Sequence, residues 1–321
     1  MKIAIAVHGR FFAFDLAKAL IEAGHEVRVF TNYPKWAVRR FGLNASNVES
    51  FPSHGVLARL VHRLNRFCSV SLEGSVHRLF GRWAASRIMR ERWDVVQAYS
   101  GIAEEIFRAD LPAGTLKQLV RGSCHIAEQD RLLREEEVRC ALPAQRPGAW
   151  SIAREEREYQ LADSILVLSQ FAYNSFLGQG VSPDRLAVLP LGVDTACFQA
   201  SSSVVAARAQ RIRAGNPIRV LTVGTLSPQK GLKDYFEIVQ SLAGEPFLFR
   251  FVGDVPATAE AYIGELRRSI EMVGRQPQHQ LPEWYAWGDI FLFPTIQDGF
   301  AVVLAQAQAS GLLILTTTNC S

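Results

Sequence analysis

The chain has 321 residues, of which 48% are hydrophobic and 21% charged, with a formal net charge of +4. That length exceeds the usual single core and predicts two domains, while the composition excludes a disordered or fibrous chain. The charge is uneven: residues 1–194 hold 25 Lys and Arg against 21 Asp and Glu, and residues 195–321 hold 10 of each. The five cysteines (Cys68, Cys124, Cys140, Cys197, Cys320) are scattered and lack C-x-x-C spacing, so they read as free thiols rather than disulfides or zinc ligands. The opening "MKIAIAVHGR" has too short an apolar run for a secretory signal, and the chain is read as cytoplasmic.

In chain order, "IAIAV", the helical pattern "FDLAKALIEAG" ending on Gly24, and "EVRVF" predict strand, helix, strand. Residues 54–93 carry eight Arg against two Glu. Within them Val56, Leu57, Leu60, Val61, Leu64 and Phe67 recur at helical spacing beside Arg59, Arg63 and Arg66. Such a basic amphipathic helix is either a membrane-surface element or a packed helix with a solvated arginine face. No nucleic-acid-binding module accompanies the charge. "DVVQAYS", "LKQLVRG", "SILVLS" and "RLAVLP" follow as strand-like runs between helical segments. Residues 195–217 are small, polar and punctuated by Arg, and end in a Gly-Asn-Pro turn signal, so they read as a linker.

The alternation then restarts: "IRVLTVG", a helix through "GLKDYFEIVQSLA", "FLFRFVG", a helix through "AEAYIGELRRSIEMVG", "DIFLFP", a helix at 300–309, and "LLILTT". Residues 299–321 carry no charge, but their Gln, Ser, Gly and Thr residues favour helix, turn and buried strand over a membrane span. The expected architecture is α/β: a Rossmann-like domain at 1–194, a linker at 195–217 and a second Rossmann-like domain at 218–321. In such folds ligands sit beyond the carboxyl ends of the strands.

Two loops have the residues for anion and hydroxyl recognition. "VGTLSPQKG" (223–231) follows a strand and opens a helix, which offers backbone N–H groups and the Lys230 ammonium to a diphosphate; a solvated lysine is the plainer alternative. "PTIQDGFAVVLAQ" repeats the pattern, with the amides of Gly299, Phe300 and Ala301 at a helix start, Asp298 before them and Gln306 eight positions on. Asp298 as a simple N-cap and Gln306 as a surface amide stay open. His125 follows the strand of "VRGSCHI" and is either a site residue or a packed one, with Glu128 orienting it or only starting a helix. No third ligand suggests a metal site. "VHGRFFAF" lacks the G-x-G-x-x-G of a nicotinamide-dependent enzyme.

"DGFAVVLAQAQASGLLIL", "VGTLSPQKGLKDYFEIV", "LPEWYAWGDIFLFPT", "VRGSCHI" and "EYQLADSILVLSQFAYNSFLGQGVSPDRLAVLPLGVDTACF" together resemble the retaining, nucleotide-sugar-dependent glycosyltransferases of family 4. The resemblance spans most of residues 94–320, with residues 35–90 matching weakly as an acceptor region. It implies the GT-B fold, two Rossmann-like domains facing across a cleft, and a chain that stops short of the family's last elements, leaving the second domain incomplete. It further implies that Lys230 binds the donor diphosphate, Asp298 reads sugar hydroxyls with Gly299 and Phe300 alongside, and Gln306, in the place of an acid, holds the ribose. His125 then lies over the reacting centre and Gly9 in a loop near the β-phosphate.

Thr225 stands where the family has a cation, and Arg121 either compensates or serves as a structural ion-pair residue. The implied partners are a UDP- or GDP-sugar and a lipid-linked or surface-glycan acceptor, with no metal or cofactor and with peripheral membrane contact through 54–93. A non-catalytic two-lobed nucleotide-sugar binder, or an epimerase on the same fold, is the alternative.

Overall fold

The structure, a computed structural model, describes residues 1–64 and 72–320, except the side chains of 62, 64, 261, 265 and 266. Arg66, Phe67 and Cys68 therefore lie outside the described residues. The chain forms two compact units. The first comprises Met1–Gly122, Pro147–Val167 and Phe176–Leu189, and the second Ser123–Arg146, Leu168–Ser175 and Pro190–Ser321.

The first unit holds a seven-stranded parallel sheet built from β1 (Lys2–Val7), β2 (Glu26–Thr31), β3 (Val48–Ser50), β4 (Val95–Tyr99), β5 (Leu116–Arg121), β6 (Ser164–Val167) and β7 (Leu186–Val188). Their order is β3-β2-β1-β4-β5-β6-β7. Ile5 of β1 pairs with Val29 on one side and Gln97 on the other. Residues Ala4–Val7 are wholly buried, as a central strand covered on both faces requires, which is why the segment reads as a continuous apolar run.

The second unit repeats the pattern with β8 (Ile218–Thr225), β9 (Phe247–Asp254), β10 (Ile270–Met272), β11 (Ile290–Phe293) and β12 (Leu313–Thr316) in the order β10-β9-β8-β11-β12. In both sheets the order reverses beside the first strand, between β1 and β4 and between β8 and β11. These are the switch points beside which ligands bind in such sheets.

Every strand expected from an apolar run is present, and two others were not expected. β3 is a three-residue edge strand without an apolar run. β10 lies within the segment read as one long helix: that helix ends at Ile263, Gly264–Arg268 form a 3-10 turn, and Ile270 pairs with Phe249. Gly264 is a poor helix former, and burying Ile270, 4% exposed, against the sheet outweighs continuing the helix. The helix expected at 300–309 begins at Val302. β12, expected to be buried, is an edge strand with Leu313 61% and Leu315 46% exposed, because no element covers that end of the sheet among the described residues. Leu315 borders an apolar hollow of about 480 Å³ with Val220, Phe249 and Leu292.

Within the segment read as a linker, the helix Ser202–Arg213 is docked on the second unit. Arg208 donates to the carbonyls of Ser310 and Gly311, and Arg211 pairs with the buried Asp289, which also accepts from the Arg219 N–H at 2.8 Å. Helix Ile126–Cys140, which follows β5, also belongs to this unit. Arg139 pairs with Asp234, Lys233 donates to the Arg139 carbonyl, and the Tyr262 hydroxyl donates to the Cys140 carbonyl.

In the first unit three histidines cluster: His8 lies 5.3 Å, ring to ring, from both His54 and His77, with Phe80 at 5.8 Å. Burial pushes His8 and His77 down to about 4 and lowers His54 as well. All three are therefore neutral at neutral pH, while in the unfolded chain they protonate near 6.5. A lowered folded value makes the cluster most favourable above about pH 6.5 and progressively unfavourable as pH falls toward 4. Urea unfolding followed at pH 7 and pH 5 is expected to show a loss on the order of 1 kcal/mol per pH unit below about 6.5 for each of His8 and His77, with His54 acting in the same direction; equal stability at the two pH values would contradict it.

Candidate functional site

The loops after β8 and β11 meet edge to edge. The Ile296 N–H and the Thr295 hydroxyl both donate to the Gln229 carbonyl, at 2.9 and 3.1 Å, and Thr295 also reaches the Gln297 carbonyl. Gly231 makes this approach possible. It sits at φ +72°, and a Cβ there would lie 1.8 Å from the Pro294 carbonyl oxygen. The zipped loops bring Lys230 and Asp298 together as an ion pair, Nζ to Oδ2 at 2.5 Å. Both side chains are about a quarter exposed, so the pair is open to a ligand. Lys230 also lies 5.5 Å above the Phe293 ring.

The second carboxylate oxygen of Asp298 accepts from the Phe300 N–H at 3.3 Å. The expectation that the amides of Gly299, Phe300 and Ala301 all stand open at a helix start is thus corrected. The Phe300 N–H goes to Asp298, that of Ala301 to the Cys320 carbonyl, and the helix starts only at Val302. Gln306 is 5% exposed rather than a surface amide, and its carbonyl accepts from the Tyr285 hydroxyl at 2.9 Å.

His125 is 6% exposed and caps the helix Ile126–Cys140. Its Nδ1 accepts from the Ala127 N–H at 3.2 Å, which leaves the proton of a neutral ring on Nε2. Its own N–H donates to the Ser175 hydroxyl at 2.8 Å. The Glu128 carboxylate is bound at 2.7 and 2.8 Å by Arg131, which, with a smaller contribution from His125, holds it below the usual carboxylate range.

The turn before His125 is tied to the Asp298 loop through Gln297, which is fully buried. The Ser123 hydroxyl donates to Gln297 Oε1 at 2.9 Å, and the Cys124 thiol points at the same oxygen from 3.7 Å. Gln297 Nε2 is buried without a partner. The second unit therefore gathers His125, Lys230, Asp298, Gly299, Phe300 and Gln306 on neighbouring loops and one helix. Gly9 and Arg121 belong to the first unit. There Arg121 is 9% exposed and pairs with Glu155 at 3.1 Å.

Beyond the carboxyl ends of β8 and β9 lies a cavity of about 360 Å³, lined by Gly224, Thr225, Gly253, Asp254, Arg275 and Gln276 among others. Two of these, Arg275 and Gln276, and the orienting Gln297 escaped sequence reading. The glutamine carries no motif signal. The other two follow β10 and Gly274, and the strand that delivers them reads as helix in the sequence. Among the described residues no three His, Cys, Asp or Glu side chains converge as a metal site, and no helix is long and apolar enough to cross a membrane.

Two Rossmann-like parallel-sheet units, the second with a cation–carboxylate pair beyond its β8 and β11 ends, define a protein of the GT-B class. Residues 11–196 match the profile of Glycosyltransferase Family 4, and residues 217–321 that of Glycosyl transferases group 1. The chain belongs to glycosyltransferase family 4. It is similar to the colanic acid biosynthesis glycosyltransferase WcaL of Salmonella typhimurium (27% identity, 50% of this chain, 41% of that protein). With WcaL of Escherichia coli it shares 25% identity over 96% of this chain and 79% of that protein. The match spans only about two fifths of the length of the Salmonella protein and of amylovoran glycosyltransferase AmsK from Erwinia amylovora. In fold it resembles Anabaena HepE, solved in complex with UDP (TM-score 0.64, 17% identity, 100% of this chain and 81% of that one).

Because Gly231 combines a left-handed backbone with contact against Pro294, Gly231→Ala is expected to destabilise the second unit by about 2 kcal/mol or more. Thermal unfolding checks this, and an unchanged melting temperature would show that the loops are not held by this contact.

Proposed function

We propose that the chain transfers a sugar from a nucleoside diphosphate to a surface-glycan or lipid-linked acceptor, with retention of the anomeric configuration. The observation that carries this reading is the Lys230–Asp298 pair at the switch point of the second sheet in a family 4 chain. Breaking the donor's glycosidic bond leaves negative charge on the departing diphosphate. The Lys230 ammonium and the Gly299 N–H supply fixed positive poles for it, the largest electrostatic contribution such a site makes. Asp298 exchanges part of its bond with Lys230 for hydroxyls of the transferred sugar. His125 presents Nε2–H toward the same sugar, and Gln306 reads the ribose. The sugar passes through an oxocarbenium-like state, and the acceptor hydroxyl attacks on the face the diphosphate leaves, giving its proton to the departing phosphate oxygen, which preserves the configuration. No resident metal is assigned a step.

The cavity at Thr225 and Arg275 is assigned to the nucleotide. UDP is the first base to test, because HepE was solved with UDP and with UDP-glucose. The relatives WcaL, AmsK and TuaC are named for colanic acid, amylovoran and teichuronic acid biosynthesis, which supports a polysaccharide product. The similarity to the phosphatidylinositol N-acetylglucosaminyltransferase GPI3 subunit of Saccharomyces cerevisiae supports a lipid-borne acceptor. Peripheral contact with the cytoplasmic membrane face is assigned to helix Pro52–Leu64, where Val61 and His54 are buried but Val56, Leu57 and Leu60 are 58%, 40% and 51% exposed. A binder without turnover is the second reading, favoured by Thr225 where a cation is expected.

Incubating the purified chain with UDP- and GDP-sugars tests both. Lys230→Ala and Asp298→Ala are expected to reduce donor turnover by on the order of 10²-fold or more. Variants as active as the wild type would sink the assignment, and nucleotide binding without turnover would select the second reading. Separately, Arg275→Ala is expected to weaken UDP binding roughly tenfold by calorimetry, the loss of one charge-assisted hydrogen bond; unchanged affinity would move the nucleotide elsewhere.

A further inference from the structure

The first unit has a cavity of its own, about 470 Å³, beyond the carboxyl ends of β1 and β2. Its floor is the Asn32 side chain, 9% exposed, whose hydrogen bonds lock the surrounding loops. Asn32 Oδ1 accepts from the Gly9 N–H at 2.7 Å, and its Nδ2 faces His54 Nδ1 at 3.4 Å. His54 Nε2 in turn donates to the Val76 carbonyl at 2.9 Å. Gly55 lets the helix Pro52–Leu64 press against this floor, since a Cβ there would stand 2.8 Å from the Asn32 carbonyl oxygen. The close approach brings Arg59 and Arg63, one helical turn apart, to the rim.

Arg10 completes the rim, its guanidinium 4.1 Å from the centre of the Phe41 ring. The charge balance is one-sided. Asp15 reaches Arg10 only at 4.0 Å and is itself 67% exposed. Among the described residues, neither Arg59 nor Arg63 has an ion pair. Two like charges at i,i+4 repel, so the unliganded arrangement carries a cost that a bound anion removes. His8, which also lines the cavity, is kept neutral by burial, so the positive field comes from the three guanidinium groups.

A concave site with a neutral, pre-organised floor and a rim of fork-shaped cations matches the chemistry of a phosphate ester. The field also points away from a neutral glycan, which needs paired donors and acceptors rather than three cations. We propose that this cavity is a phosphate-binding subsite for the acceptor, in which Arg10, Arg59 and Arg63 grip a phosphate or diphosphate carried by the molecule to be glycosylated. Its assignment to the acceptor rests on the transferase reading; the anion site itself does not. The phosphate belongs either to a membrane lipid headgroup or to a freely diffusing sugar phosphate.

The test is run in a Lys230→Ala background, so that the donor loop does not compete for the probe. Inorganic pyrophosphate is titrated against that protein, against the same protein with Arg59→Gln and Arg63→Gln, and against one with Arg213→Gln in the second unit. These arginines are exposed, so the substitutions leave the cores untouched. The expected result is binding that weakens about tenfold or more in the Arg59/Arg63 variant and is unchanged by Arg213→Gln. No binding, equal binding in all three, or an equal loss with Arg213→Gln overturns the proposal.

Flotation with phosphatidylcholine vesicles, with and without phosphatidylglycerol, identifies the source. Arginine-dependent binding to the anionic vesicles, displaced by pyrophosphate, assigns a lipid headgroup. Pyrophosphate binding without vesicle binding assigns a free sugar phosphate. UDP binding to the chain with Lys230 intact is measured alongside. Its absence would count against the transferase reading while leaving the phosphate subsite standing.

Discussion

The close approach of two loops, 228–231 and 294–298, is the constraint on which the candidate site depends. Neither loop is regular structure, and each would be free to wander at the end of its strand. The carbonyl of Gln229 takes two donors from the other loop, and the missing side chain of Gly231 allows the backbones to touch. Only then do an ammonium and a carboxylate 68 residues apart become a pair at 2.5 Å. Pre-organisation of this kind matters more to a charge-stabilising site than the strength of the pair, which its partial exposure keeps modest.

Around that contact, buried polar residues fix the supporting elements. Asp289 takes the Arg219 N–H and Arg211, and so attaches the helix Ser202–Arg213 to the start of β8. Gln297 ties the turn before His125 to the Asp298 loop. In the first unit Glu158, fully buried, accepts the N–H groups of Gly101, Ala103 and Glu104 while Arg154 lies beside it at 3.1 Å. These are costly groups to bury and are tolerated because nearly every oxygen finds a donor. Asp289 Oδ1 and the Nε2 of Gln297 are exceptions to that rule, the latter beside the residues assigned to the sugar.

Both units repeat one plan with different contents. The first places arginines and neutral histidines beyond its β1 and β2 ends, and the second a lysine, a carboxylate and glycine-bearing loops beyond its β8 and β11 ends. On the proposed reading each offers a cavity for an anion, but of different kinds: a pair of loops for a diphosphate and its nucleoside, and a guanidinium rim for a phosphate ester.

Much of the fold was legible in the sequence because parallel strands buried on both faces leave apolar runs, as in "IAIAV" and "DIFLFP", that no other element imitates. The same logic failed where burial is one-sided or brief. β3 and β10 are three residues each, and "AEAYIGELRRSIEMVG" keeps helical spacing across a break that only sheet pairing enforces. Of the site, Lys230 and Asp298 were legible as residue types in strand-end loops. Their ion pair was not, nor were the helix cap made by His125, the salt bridge between Arg121 and Glu155, and the cavity beside Arg275. The sequence by itself determined the longer strands and which loops carry charge, since those follow from local pattern and side-chain chemistry. Tertiary structure alone decided which charges meet and which are spent on neighbours, because that depends on backbone approaches of a few ångströms between segments remote in the chain.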